Sequence, residues 1–230
     1  MFDDFQYAYL VGLVFFLGVW LVLFFLRGDL RKEMIIMSFL TAPLGFTQPF
    51  YFRDYWRPSY AWGDMANGVG IENILFGFVM GGIAAVIYEE IFGKKYAKRR
   101  LPLHPYWMLG FVAFGIAWMF IGTQVLGFNS MYTTIAILLA VGMFILVFRH
   151  DLIRDAFFSG LLVGGLMFVF YLFFFTPLFP NIGREWWLLQ NLSGLSLNGV
   201  PIEELVWAFS WGFVAGPAYE FANGLKFKES

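Results

Sequence analysis

The chain has no cysteine, which excludes disulfides, thiolate metal sites and cysteine nucleophiles. Histidine is nearly as scarce: His104 and His150 both fall in expected loops, so a histidine-rich metal site is not expected. Charge is sparse as well. Asp, Glu, Lys and Arg make up 13% of 230 residues, against about 25% in a soluble domain. So few charges cannot cover a water-facing surface. The net charge of −1 offers no attraction to nucleic acid, and no such partner is expected. A glycine-rich phosphate loop, a G-x-G-x-x-G after a strand and an H-E-x-x-H motif are all missing, so neither a cofactor nor a metal is expected. The last apolar stretch has no lysine, which argues against a retinal Schiff base.

What the chain has is apolar length. Hydrophobic residues reach 60%, and a membrane-crossing helix needs about 20 of them in succession. Seven stretches qualify, at about 7–26, 34–52, 71–92, 106–127, 131–148, 156–179 and 202–222. The first follows Met-Phe-Asp-Asp without a basic segment and is too long for a signal sequence, so it reads as a retained helix. The loops after helices 1, 3, 5 and 7 hold Arg27, Arg31, Lys32, Lys94, Lys95, Lys98, Arg99, Arg100, Arg149, Arg154, Lys226 and Lys228. The opposite side holds only Arg53, Arg57 and Arg184. Basic loops stay in the cytoplasm, which predicts an outside N-terminus and a cytoplasmic C-terminus.

The chain also repeats itself. Residues 53–89 align with 184–220 without a gap, at an offset of 131, with 13 identities in 37 positions. Arg53-Asp-Tyr-Trp56 matches Arg184-Glu-Trp-Trp187, and Asn67-Gly-Val-Gly-Ile-Glu-Asn73 matches Asn198-Gly-Val-Pro-Ile-Glu-Glu204. Upstream, Arg27-Gly-Asp-Leu30 resembles Arg149-His-Asp-Leu152 at an offset of 122, so helix 6 carries a nine-residue insertion relative to helix 2. The expected fold is an all-α integral membrane protein of seven helices. Repeat one occupies 1–93, linker helix 4 occupies 94–130, and repeat two occupies 131–230. An even offset of four helices makes the copies parallel. Gly77, Gly81 and Ala85 fall four apart, as do Ala208, Gly212 and Gly216. Such small-residue faces allow close helix packing in lipid, and helix 3 against helix 7 is the expected pair.

Three glutamates stand at matched helix starts: Glu72 on helix 3, and Glu203 and Glu204 on helix 7. Asn73 occupies the position matching Glu204. Helical geometry places Asn73 and Glu204 on the small-residue faces, with Glu72 and Glu203 about 100° round, above Phe76 and Trp207. The three carboxyls are expected to converge near the repeat axis. Acidic residues in a first helical turn also serve ordinary capping, and both readings stand on this evidence. A carboxyl in an apolar setting favours its neutral form and can then act as a general acid. Glu89, Glu90 and Glu220 at the other helix ends read as solvated partners of nearby lysines. Aromatic residues make up 22% of the chain. Trp56, Trp62, Trp186 and Trp187 read as interfacial belts, and the run from Phe168 to Phe175 as lipid-facing packing. Trp207 and Trp211 are the better candidates to line a site, where aromatic faces stabilise a cation.

The stretch from Asn198 to Trp207 resembles the membrane lycopene cyclase domain family of carotenoid synthesis, which carries Pro-x-Glu-Glu at a helix start, once per three-helix domain. Pro201, Glu203 and Glu204 match that motif, and Glu72 matches its first Glu in the other copy. Copy one departs from it at Gly70 and Asn73. The resemblance implies cofactor-independent isomerisation. The ψ-end of a linear carotenoid is protonated, the carbocation is attacked by the neighbouring alkene, and a proton is lost. It implies Glu203, Glu204 and Glu72 as acid and base, and Trp207, Trp211, Phe76 and Asn73 around a hydrophobic polyene. It further implies membrane lipid as surroundings, the plasma membrane of a prokaryote as location, and room for an oligomer. A non-catalytic lipophile-binding protein and a small transporter are the competing readings.

Overall fold

The computed structural model describes residues 5–65, 68–97 and 106–228. Asn67, Lys98, Arg99, Arg100 and His104, used above, lie outside the described residues, as does the segment 1–4. The described chain is mostly helical. α1 is Ala8–Leu26. α2 is Arg31–Thr41 and runs on as a 3-10 helix, Ala42–Tyr51. α3 is Ile71–Ile91, and α4 is Tyr106–Phe120, closed by a π turn at Ile121–Val125. α5 is Ser130–Phe148. α6 is Ile153–Val169, extended through a π segment at Phe170–Phe175 to Thr176–Leu178. α7 is Ile202–Asn223.

Among the described residues, five helical stretches are long and apolar enough to cross a membrane: Phe5–Leu26, Ile71–Ile91, Tyr106–Val125, Ser130–Phe148 and His150–Leu178. The expected crossings at 34–52 and 202–222 are not among them. Pro43 and Pro49 lie in the 3-10 stretch after α2, and proline withholds an N–H from an α-helical ladder. α7 has 22 residues but carries Glu203, Glu204 and Glu220, which lower its apolarity.

Local chemistry sets the helix starts. The Asn129 side chain accepts from the N–H groups of Met131 (2.9 Å) and Tyr132 (3.3 Å) and caps α5. Asp54 accepts from the Ser130 N–H at 3.1 Å and also binds Arg53, fixing the same start. Before α7 the chain forms a two-residue hairpin, Ser196–Leu197 against Val200–Pro201, a small β element within a fold expected to be all helical. Its turn residues Asn198 (φ 50) and Gly199 (φ 83) both lie in the left-handed region. Asn-Gly is the preferred pair for such a turn. The hairpin delivers Glu203 and Glu204 to the first turn of α7.

Packing corrects the expected pairing of the small-residue faces. Gly77 and Gly81 lie against Thr41 and Met37 of α2, and the Thr41 hydroxyl donates to the Gly77 carbonyl at 2.8 Å. Gly212 and Gly216 lie against Ser159 of α6. The glycines therefore join α3 to α2 and α7 to α6, not α3 to α7. The reason is the hairpin-like succession of neighbouring helices, whose backbones approach most closely. α3 and α7 still meet, through larger side chains. Phe76 and Trp207 are stacked at 6.5 Å, and the Trp211 indole donates to the Met80 carbonyl at 3.3 Å. Trp56 lies beside Trp187, and Tyr96 stacks on Phe227 at 5.6 Å. In each of these four pairs the partners are 131 residues apart. α4 lies at the periphery, with Met119 its one buried residue.

The end where α3 and α7 begin is the motif end; the opposite end holds the basic loops. There Arg149 is buried and donates to the carbonyls of Glu220 (3.2 Å) and Leu225 (2.6 Å), tying α5 to the close of α7. Arg27 makes the equivalent bonds to Glu89 (3.1 Å) and Lys94 (2.9 Å). Each arginine also pairs with an aspartate two residues on, Asp151 or Asp29. The arginine hydrogen bond holds the Asp29 carboxyl below its usual range. That contribution is present above the ordinary Asp value and fades as pH falls through the lowered one. Asp29 is exposed enough to make it small. Replacing Arg149 by Met strands two carbonyls and is expected to destabilise by about 2–4 kcal/mol. Thermal unfolding in detergent checks this, with Arg27→Met, the more exposed site, losing less.

Candidate active site

Between the helices lies a cavity of about 270 Å³. Its walls come from α1, the α2 extension, α3, α4, α5, the π segment and α7. The lining is overwhelmingly aromatic and aliphatic: Phe16, Phe76, Phe170, Phe175, Trp186, Trp187, Trp207 and Trp211 all contribute. The polar contributors are few. They include Gln48, Asn73, Tyr171 and Glu204, and Glu204 is the one acidic side chain among the described lining residues.

Glu204 is 5% exposed. Its Oε1 accepts from the Trp187 indole N–H at 2.5 Å, and the Tyr171 hydroxyl donates to its Oε2 at 3.1 Å. The Trp187 N–H also reaches the Tyr55 hydroxyl at 3.2 Å. An indole can only donate, whereas a phenol can donate or accept. Oε1 is therefore committed as an acceptor; Oε2 accepts from Tyr171 when ionised, and when Oε2 is protonated the phenol can turn to accept from it. Tyr171 belongs to the π segment, where the widened turn re-aims side chains.

Asn73, across the cavity, has a different set of bonds. Its amide donates to Gln48 Oε1 and to the Tyr9 hydroxyl, each at 3.1 Å, and its oxygen accepts from the Gly70 N–H at 2.9 Å. This position binds and caps but carries no acid.

The other two glutamates stand outside the cavity, so the expected convergence of three carboxyls does not occur. Glu72 is fully buried and its Oε1 accepts from the Ala61 N–H at 2.8 Å. Glu203 is 3% exposed. It accepts from the Ser193 N–H at 2.7 Å and the Tyr132 hydroxyl at 2.8 Å. The cause is helical rotation: one residue turns a side chain by about 100°. That turn takes Glu72 and Glu203 away from the cavity and towards their preceding loops. The sequence-chosen Trp207, Trp211, Phe76 and Asn73 all line the cavity.

Residues 129–222 match the family described as lycopene cyclase. This segment is a lycopene cyclase domain. It runs from the cap of α5 almost to the end of α7, and so contains Tyr171, Trp187, Glu204, Trp207 and Trp211. No curated protein and no solved structure matches the chain.

Three readings of the sequence need correction around the lycopene cyclase domain. Trp186 and Trp187 are not interfacial belt residues: both are buried and line the cavity. The run from Phe168 to Phe175 is not simply lipid-facing. Phe170 and Phe175 are 4% exposed and line the cavity, while Phe173 is 71% exposed. The match of Trp56 with Trp187 across the repeat was the available signal for the first. Nothing in the sequence announced the π segment that turns Tyr171 inward. Finally, Glu89 and Glu220 are not solvated ion-pair partners; both are fully buried.

Proposed function

We propose that the protein cyclises a ψ-end of a linear carotenoid inside the membrane, with Glu204 as the acid. The observation carrying this reading is Glu204, the one acidic side chain among the described residues that line an aromatic cavity, bonded to Trp187 and Tyr171 within the segment that matches lycopene cyclase. The carboxyl transfers its proton to the terminal alkene and leaves a tertiary carbocation. The internal alkene attacks that carbon, forming the ring bond and moving the positive charge to the next carbon. Loss of a proton from a neighbouring carbon, back to the Glu204 carboxylate, restores the alkene and the acid. The product is an isomer of the substrate, and the reaction needs no oxidant and no cofactor.

The parallel faces of Trp207 and Trp211, 6.1 Å apart, stabilise the cation. The cavity lies near the lower limit for ligand pockets, about 300 Å³, and so takes an end group rather than a whole polyene. With Asn73 opposite Glu204, each binding event closes one ring. Glu203 and Glu72 act as positioning residues that anchor the loops before α7 and α3.

The wider reading is a seven-crossing, two-repeat protein: repeat one at 1–93, linker 94–130 and repeat two at 131–230. Supporting it are the four contacts between residues 131 apart and the coincidence of the matched segment with α5–α7. α2 and α7 are the less apolar crossings, and α7 buries 13 of its residues; a helix shielded by others needs less apolar surface than one facing lipid. The distribution of basic loops supports an outside N-terminus and a cytoplasmic C-terminus, in the plasma membrane of a prokaryote.

Expression in lycopene-accumulating cells, followed by pigment analysis, tests the activity. Cyclic product is expected, and unchanged lycopene beside folded membrane protein would refute it. In the same cells Trp187→Phe, which keeps the ring but loses the donor to Glu204, is expected to slow cyclisation by about tenfold at unchanged protein level.

A further inference from the structure

A second buried polar cluster lies at the basic end, far along α3 and α7 from Glu204. Glu33 of α2, Glu89 of α3, Asp155 of α6 and Glu220 of α7 are each no more than 2% exposed. One oxygen each of Glu89, Asp155 and Glu220 lie within 4.8 Å of one another. The Tyr96 hydroxyl lies 2.5 Å from Glu33 Oε2 and bonds Glu220 Oε1 as well, which brings Glu33 into the group.

These carboxyls have almost no compensation. Among the described residues none of the four forms an ion pair, because Arg27 and Arg149 direct their donors to Asp29, Asp151 and backbone carbonyls. Two hydroxyls, Tyr96 and Ser159, are the donors that reach the cluster. Among the described residues, both Glu89 oxygens are buried without a hydrogen-bond partner, as are Glu33 Oε1, Asp155 Oδ2 and Glu220 Oε2. The Tyr96 hydroxyl has a single proton to share between two carboxyls. Carboxylates crowded away from water without partners are strongly unfavourable.

We infer that these four side chains bind one hard divalent cation, joining α2, α3, α6 and α7 at the basic end. All the ligands are oxygen, which selects calcium, magnesium or manganese over thiophilic metals. Oxygens on opposite sides of a calcium ion lie about 4.6–5.2 Å apart, and the observed span fits within that. The placement has a pattern of its own. Glu33 and Asp155 are 122 residues apart and Glu89 and Glu220 are 131 apart, the two offsets of the internal alignment. Both halves of the chain therefore supply the same two positions, whereas the cavity is lined by an acid from one half only, Glu204, with Asn73 at the matching position. The inference does not depend on the cyclase reading.

The test uses the whole protein in detergent, stripped with a chelator and returned to calcium, magnesium or manganese alone. One bound ion per chain is expected by elemental analysis. Saturation is expected to raise the unfolding temperature by roughly 5 °C or more. Glu89→Gln and Asp155→Asn should each weaken binding by roughly tenfold or more, while Glu204→Gln at the motif end should bind as the unaltered protein does. Wild-type protein that binds none of the three ions, or is stabilised by acid instead, would overturn the inference. So would full-affinity binding by Glu89→Gln or, should that variant not fold, by Asp155→Asn.

Discussion

Glu204→Gln is expected to abolish ring closure while leaving the protein folded in the membrane. The amide is nearly the same size and keeps both contacts: its oxygen accepts from Trp187, and its NH₂ donates to Tyr171. What it cannot do is deliver a proton to an alkene. Loss of a general acid costs roughly 10²–10⁴-fold, and an unactivated alkene places the effect at the upper end. Glu203→Gln and Glu72→Gln serve as comparisons. Both lie outside the cavity and hold loops through backbone N–H groups, so their losses should track the amount of folded protein. Pigment analysis beside quantified membrane protein separates the two kinds of loss. Equal activity loss per folded molecule at Glu203 and Glu204 would remove the special role given to Glu204.

The second large effect is structural. A Cβ on Gly212 would collide with the Ser159 carbonyl, and that atom is backbone, so α6 must move. Overpacking of this kind costs about 1–3 kcal/mol, out of about 5–15 kcal/mol for a whole fold. Gly212→Ala is therefore expected to lower the unfolding temperature by about 5 °C or more. Gly165 on α6 gives the contrast, since a Cβ there meets nothing within 4 Å. Gly165→Ala should leave stability unchanged or raise it slightly, as alanine does in helices. A fall at Gly165 equal to that at Gly212 would contradict the packing described for α6 and α7.

Much of the helix layout was legible in the sequence, because uninterrupted apolar runs bounded by charge or turn residues leave few alternatives. Two parts were not. Hydropathy treats 34–52 as one helix, yet Pro43 and Pro49 fall where the chain tightens into a 3-10 helix. The small-residue faces were read correctly as close contacts, but spacing cannot name the partner, and the partner proved to be the preceding helix. At the site, the repeat pointed to the starts of α3 and α7 and to Trp207 and Trp211. It did not say which of two adjacent glutamates faces inward, because the hairpin before α7 sets that rotation. Tyr171 depends on a π turn that leaves no compositional trace. Glu33 and Asp155 went unnoticed for another reason: each reads as a solvated residue near a helix start, and only the folded contacts bury them.

The most direct test of proton-initiated ring closure is an isotope measurement. Purified protein in lipid vesicles is given lycopene in D₂O, and the product is examined by mass spectrometry. With the proton returned to Glu204 exchanging with solvent between turnovers, one deuterium per ring closed, on the carbon protonated first, is expected, and Glu204→Gln should yield neither ring nor label. Cyclic product without deuterium, or unlabelled and unchanged lycopene with correctly folded protein, would contradict the account.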